Sequence, residues 1–190
     1  MQQRVSDYIA DFFVQNGISD IFTVTGGGAM YLNEASAMAA EAYARIDNKI
    51  AAVCVTTGPG ATNAITGVIC GWMDSIPMLI ISGQVRYATT VYASSLNLRT
   101  RGVQEFDIIE SVHNMTKYCE LIADPMKIRY CLEKALYLAK TGRPGPCWLD
   151  IPLDVQGTII DTDSLAGYNF TEKQQKKDLR ETADAILEKI

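Results

Sequence analysis

The sequence has a single histidine, His113, in 190 residues, so any site that needs two imidazoles is excluded within one copy of the chain. Cysteine occurs five times, at Cys54, Cys70, Cys119, Cys131 and Cys147, and never as CxxC, so no thiol zinc or redox motif is present. The odd count, with no secretory pattern over residues 1–20, points to reduced thiols; Cys54, Cys70 and Cys147 lie in apolar stretches and read as inert core groups. No apolar run reaches the roughly 18 residues of a membrane helix, so a cytoplasmic, membrane-free protein is expected. Basic charge is also scarce: 17 Lys and Arg against 22 Asp and Glu give a net charge of -5 with no dense cationic run, which argues against nucleic acid as a partner. Neither a Walker A loop nor GxGxxG follows any glycine turn. Hydrophobic residues at 48% and charged residues at 21% sit near globular averages and argue against disorder; the length suits one buried core.

What is there alternates between helical and extended patterns. Val5, Ile9, Phe12 and Phe13 recur at helical spacing, and residues 20–24 read as a strand. A turn of Gly26, Gly27 and Gly28 follows, then a small-residue helix over 35–45. Residues 51–56 form a branched apolar run suited to a strand buried on both faces. After the turn Gly58-Pro59-Gly60, Ala61, Ile65, Val68, Ile69 and Trp72 fall on one helical face. Strands are predicted at 78–82, 118–122 and 146–151, a polar loop at 84–102 and a short helix within 104–112. Asp124-Pro125 opens a helix that runs to Lys140, since Asp caps well and Pro is tolerated in the first turn. This alternation implies an α/β fold, a doubly wound and mainly parallel sheet of five to six strands. From about residue 154 the composition changes. Residues 157–168 read as a linker and 171–190 as a charged amphipathic helix, the start of a further domain.

The strongest local feature is Thr56-Thr57-Gly58-Pro59-Gly60-Ala61-Thr62-Asn63, a turn between strand and helix. Ligands of open α/β sheets bind at the carboxyl ends of strands. The glycines permit close backbone approach, and Asn63 offers a donor and an acceptor. The same turn also serves as a plain strand-to-helix connection. Asp74-Ser75 reads as a solvated turn, Lys117 and Arg143 as surface or interface charges, and His113 as structural or exposed. The loop at 86–101 suits either solvent or a partner subunit.

Taken together, several stretches resemble the thiamine-diphosphate-dependent enzymes of the acetolactate synthase group. They are Val5-Ser6-Asp7-Tyr8-Ile9, residues 21–28, Ala39-Ala40-Glu41-Ala42-Tyr43-Ala44-Arg45, residues 57–63, Met73-Asp74-Ser75-Ile76-Pro77, Ser82-Gly83-Gln84-Val85, Gln104-Glu105, Thr116-Lys117 and Gly142-Arg143-Pro144-Gly145-Pro146. They occur in the family's order over residues 4–156. The resemblance implies an N-terminal pyrimidine-binding domain at 1–156 and, at 157–190, a linker with the first helix of a middle domain. It places Pro59, Asn63 and Gln104 on the cofactor side of the pocket and Gly27 and Gly28 beside the reacting centre. It also implies a glutamate at the ring nitrogen of the aminopyrimidine, as the start of a proton relay.

The best match to that glutamate is Glu34, which falls one residue late, a rotation of about 100° on a helix. An internal deletion near 33–34 removes residues that would hold a helix and a strand in the family. Glu34 is equally a helix-start carboxylate that favours the dipole, and Glu41 reads as a structural helix-face charge. By resemblance the diphosphate and Mg2+ belong to a C-terminal domain and FAD to a middle domain; no Gly-Asp-Gly signature for the former is present in this sequence. The implied reaction is carboligation of 2-keto acids, pyruvate first, by a homodimer or homotetramer. Two other classes stay open: a non-catalytic fragment or pseudo-enzyme that acts as an association module, and a nucleotide-binding module built on the Gly58-Pro59-Gly60 turn.

Overall fold

A computed structural model describes residues 1–23, 30–47, 49–170 and 187–188, of which 30–35 and 47 are described by their backbone alone. The chain opens with β1 (Gln2–Arg4) and α1 (Val5–Gln15), then β2 (Ile21–Thr23), α2 (Met30–Asp47) and β3 (Ala51–Val55). Two short helices, α3 (Pro59–Asn63) and α4 (Ile65–Met73), lead to β4 (Met78–Gln84). Then come α5 (Ile108–Val112), β5 (Tyr118–Leu121), α6 (Ile128–Lys140), β6 (Pro146–Pro152), α7 (Leu153–Gly157) and β7 (Ile159–Asp161).

Five strands form one all-parallel sheet in the order β2-β3-β4-β6-β5. The apolar composition of β3, β4 and β6 follows from burial on both faces. On one face α1 and α6 supply Ile9, Phe12, Phe13, Cys131, Leu132 and Ala135 to the core. On the other, α2 and α4 supply Ala37, Ala40, Ala44 and Val68 against Val53, Ile80 and Trp148. The fold is therefore α/β and doubly wound. The helix before β4 covers one face and the helix before β6 the other, although these strands are neighbours. Their shared border is the topological switch point, where such sheets leave a crevice beyond the strand ends.

Helix α2 begins at Met30, earlier than the predicted 35–45, which puts Glu34 inside the helix rather than at its start, with no acidic residue in the first turn. The helix-start reading of Glu34 is thus corrected. Its side chain, and Gly27 and Gly28, lie outside the described residues. The single helical face predicted over 61–72 is broken at Ala64, which ends α3 and caps α4. The break shifts the helical phase, so Ala61 and Val68 are buried while Ile69, Cys70 and Trp72 are exposed. The predicted core thiol at Cys70 is therefore a surface thiol. The stretch 157–168, read from composition as a linker, contains β7, which pairs antiparallel with β1. Ile160 and Leu165 of that stretch are buried in the α1–α6 core. Its polar composition hid two inward apolar residues. Of the helix predicted at 171–190, only 187–188 are described.

Candidate functional site

The turn after β3 and the loop before α5 meet at one point. Gly58 has φ +55°, and a Cβ there would lie 2.1 Å from the Gln104 carbonyl oxygen, so only glycine fits. Gln104 itself has φ +63°, a left-handed conformation unusual for a side-chain-bearing residue. Pro59 starts α3 with its missing N–H at no cost, and Asn63, one turn later, shares its face. The structure thus brings the Gly58-Pro59 turn and Gln104 together and sets Asn63 on the same short helix.

Asn63 carries the site's unusual feature. Its Nδ2 is buried and has no hydrogen-bond partner, the one such side-chain atom among the described residues. A buried unpaired donor costs about 1–3 kcal/mol, so it marks strain or the place of a missing acceptor.

The loop that presents Gln104 is clamped by Glu105, which sequence reasoning did not single out. Its carboxylate accepts from the backbone N–H of Val91 at 2.6 Å and of Arg101 and Gly102 at 2.8 Å. Burial alone would raise its pKa, but these backbone donors hold it below the usual glutamate value. The Tyr92 hydroxyl donates to Asp107, and burial, more than that bond, raises the pKa of the phenol. The 86–101 loop is therefore tied to its own domain.

A crevice of about 510 Å³ opens at the carboxyl ends of β3, β4 and β6, lined by Thr57, Ser82, Gly83, Gln84, Val85 and Gln156 among others. Thr57 stands between this crevice and the Gly58 turn; its hydroxyl donates to Gln84 Oε1 at 2.7 Å. A larger cleft of about 570 Å³ lies between α1 and α6 and contains none of the predicted site residues.

Other predicted groups fall away from the site. Arg45 joins Glu41 and Asp74 in an exposed ion-pair network, the structural role expected of Glu41. Arg143 donates to Ser75 Oγ at 2.7 Å and Met73 O at 3.0 Å, so Asp74-Ser75 is an exposed turn, as expected, that is also pinned to Arg143. Lys117 is no surface charge: its Nζ donates to the Leu138 and Thr141 carbonyls at the end of α6, where half-burial lowers its pKa. His113 is exposed. Among the described residues no group of three His, Cys, Asp or Glu is arranged to hold a metal, and no helix is long and apolar enough to cross a membrane.

Residues 32–111, from α2 through the Gly58 turn and Gln104 into α5, match the family model described as thiamine pyrophosphate enzyme, N-terminal TPP binding domain. The chain belongs to the thiamine pyrophosphate enzyme family through this N-terminal domain. Among proteins of known name it is 38% identical over 159 residues to the acetolactate synthase large subunit of Buchnera aphidicola subsp. Schizaphis graminum, which takes in 75% of this chain and 26% of that protein. It is 38% identical over 147 residues to the acetolactate synthase large subunit of Lactococcus lactis, covering 75% of this chain and 24% of that one. It is 32% identical over 188 residues to the chloroplastic acetolactate synthase 2 of Zea mays, covering 87% and 28%. The chain spans about a quarter of the length of these curated relatives.

Proposed function

We propose that this chain supplies the pyrimidine-binding half of a thiamine-diphosphate-dependent carboligase of the acetolactate synthase kind. The observation that carries this reading is the buried, unpaired Asn63 Nδ2 beside the Gly58–Gln104 contact. In this reading Asn63 donates to the aminopyrimidine ring. Pro59 and Gln104 form the wall against which that ring lies, and the left-handed Gln104 backbone aims its side chain and carbonyl around the Gly58 turn. Gly27 and Gly28 belong to the same wall by resemblance. Thiamine diphosphate supplies the electron sink for decarboxylating a 2-keto acid and joining its two-carbon unit to a second one. The acetolactate synthase relatives support pyruvate as the first substrate. Mg2+, the diphosphate and any FAD are assigned to residues outside this domain, in a cytoplasmic homodimer or homotetramer.

The test is a 15N NMR titration of the protein with thiamine diphosphate and, separately, with a 4-aminopyrimidine that carries only the pyrimidine half. Both should shift the Asn63 side-chain amide and the Gly58 and Gln104 backbone signals. Signals that ignore both ligands would refute the reading. The position of Glu34 inside α2, out of the family's register, favours a second reading in which the chain is an association module without chemistry. Deuterium exchange at the thiazolium C2 separates the two: exchange faster than for free cofactor supports the carboligase, and an unchanged rate supports the module.

A further inference from the structure

An aspartate lies buried at the switch point of the sheet. Asp150 on β6 is paired in register with Ser82 on β4, and the two are 2% and 0% exposed. Strand periodicity puts Trp148 and Asp150 on one face of β6 and Ser82 and Gln84 on the matching face of β4. Among the described residues no Lys or Arg is paired with the carboxylate. It is held by dipoles instead: Ser82 Oγ donates to Asp150 Oδ1 at 2.6 Å, and Gln84 Nε2 donates to Oδ2 at 3.0 Å. The Trp148 indole N–H donates to Ser82 Oγ at 2.8 Å and so extends the chain of donors that ends on Asp150.

The other end of this network reaches the candidate site. Gln84 Nε2 also donates to the Phe106 carbonyl at 3.0 Å, while Gln84 Oε1 accepts from Thr57 Oγ1 at 2.7 Å and from the Val85 N–H at 3.0 Å. Both donors and both lone pairs of this amide are used, so its orientation is fixed. Phe106 follows Gln104 by two residues, and Thr57 immediately precedes Gly58. Gln84 therefore grips the two segments whose meeting point is the Gly58–Gln104 contact.

We propose that Asp150 is a positioning residue for the thiamine-binding turn, acting through Gln84 to hold Thr57 and Phe106 on either side of the Gly58–Gln104 contact. This rests on the cofactor reading given above. An ionised Asp150 is acceptor-only and makes charge-assisted bonds to both Ser82 and Gln84. Once protonated it must turn one oxygen into a donor, and the pull on Gln84 weakens. Burial raises its pKa to about 7, against the lowering effect of the Ser82 and Gln84 bonds and with help from the negative charge of Asp107. The titratable groups that face it are Asp107 and Tyr92, both from the loop ahead of α5 and hydrogen-bonded to each other; its β4 neighbours are uncharged. The network thus changes strength near neutral pH.

The Trp148 indole N–H gives a direct spectroscopic readout in the chain as it stands, with no ligand added. In 1H–15N spectra between pH 5.5 and 8.5, the Trp148 indole signal and the Gly58 amide signal should titrate together with one midpoint near 7. Asp150→Asn should abolish both titrations. Thr57→Val, which keeps the buried carboxylate and the Gln84–Phe106 bond, should leave the Trp148 titration and shrink that of Gly58. A Trp148 signal that does not titrate, or that still titrates in Asp150→Asn, overturns the proposal. So does a Gly58 signal that ignores Trp148 in the wild type or persists unchanged in Thr57→Val. These outcomes are read apart from the aminopyrimidine titration: an Asn63 signal blind to the ligand refutes the cofactor reading, and a Gly58 signal uncoupled from Trp148 refutes the positioning role.

Discussion

Replacing Asp150 by Asn should change how stability depends on pH, and the size of the change follows from the burial of the carboxyl. Its pKa in the folded chain is raised to about 7, chiefly by desolvation and only partly countered by Ser82 and Gln84. Between the ordinary aspartate pKa and 7, the folded chain keeps a proton that the unfolded chain has released. Stability from this group is therefore fully present at low pH and is lost as pH rises through the folded pKa. Each pH unit in that window is worth about 1.4 kcal/mol, so from pH 5.5 to 8.5 the wild type should lose about 2 kcal/mol that Asp150→Asn does not lose. Urea unfolding of both proteins at four pH values in this range measures the difference, and all other titrating groups cancel in it. A difference that stays flat, or that grows in favour of the wild type as pH rises, would refute a buried carboxyl whose pKa is raised by desolvation.

Three further outcomes are expected. Gly58→Ala meets both a left-handed φ of +55° and a Cβ position 2.1 Å from the Gln104 carbonyl, so it should destabilise the fold by about 3 kcal/mol, read as a lower urea midpoint. Lys117→Met strips the Leu138 and Thr141 carbonyls of a charged donor at the end of α6 and should cost about 2 kcal/mol in the same assay. Under native conditions Cys70 should be the first thiol to react with an aromatic disulfide reagent, because it is exposed while Cys131 and Cys147 are buried; peptide mapping of the labelled protein checks the order.

Most of the sheet was legible because the β3, β4 and β6 segments are apolar runs bounded by Gly, Pro and Asp, and runs of that kind have few other places to go. The Gly58 turn was legible for the same reason, since positive φ selects glycine. Boundaries and phases were not: α2 gains a turn ahead of Ala35, and Ala64 resets the helix between Asn63 and Ile65 without a breaker residue to announce it. The Arg143–Ser75 and Lys117–carbonyl contacts span 68 and 21–24 residues of sequence, so no local pattern reports them. Asp150 did leave a signal. A lone carboxylate inside Cys147-Trp148-Leu149-Asp150-Ile151 must find buried donors, and Ser82 and Gln84, two apart in another apolar strand, have the matching period.

The account's central claim is that Asn63 holds an open hydrogen-bond position for the aminopyrimidine. Asn63→Ala, measured by thermal unfolding without ligand and by calorimetric titration with thiamine diphosphate, tests it most directly. Removing a buried, unpaired amide should raise stability by about 1 kcal/mol while the loss of the donor weakens binding about fivefold. Equal affinity, or a variant that is less stable than the wild type, would contradict the claim.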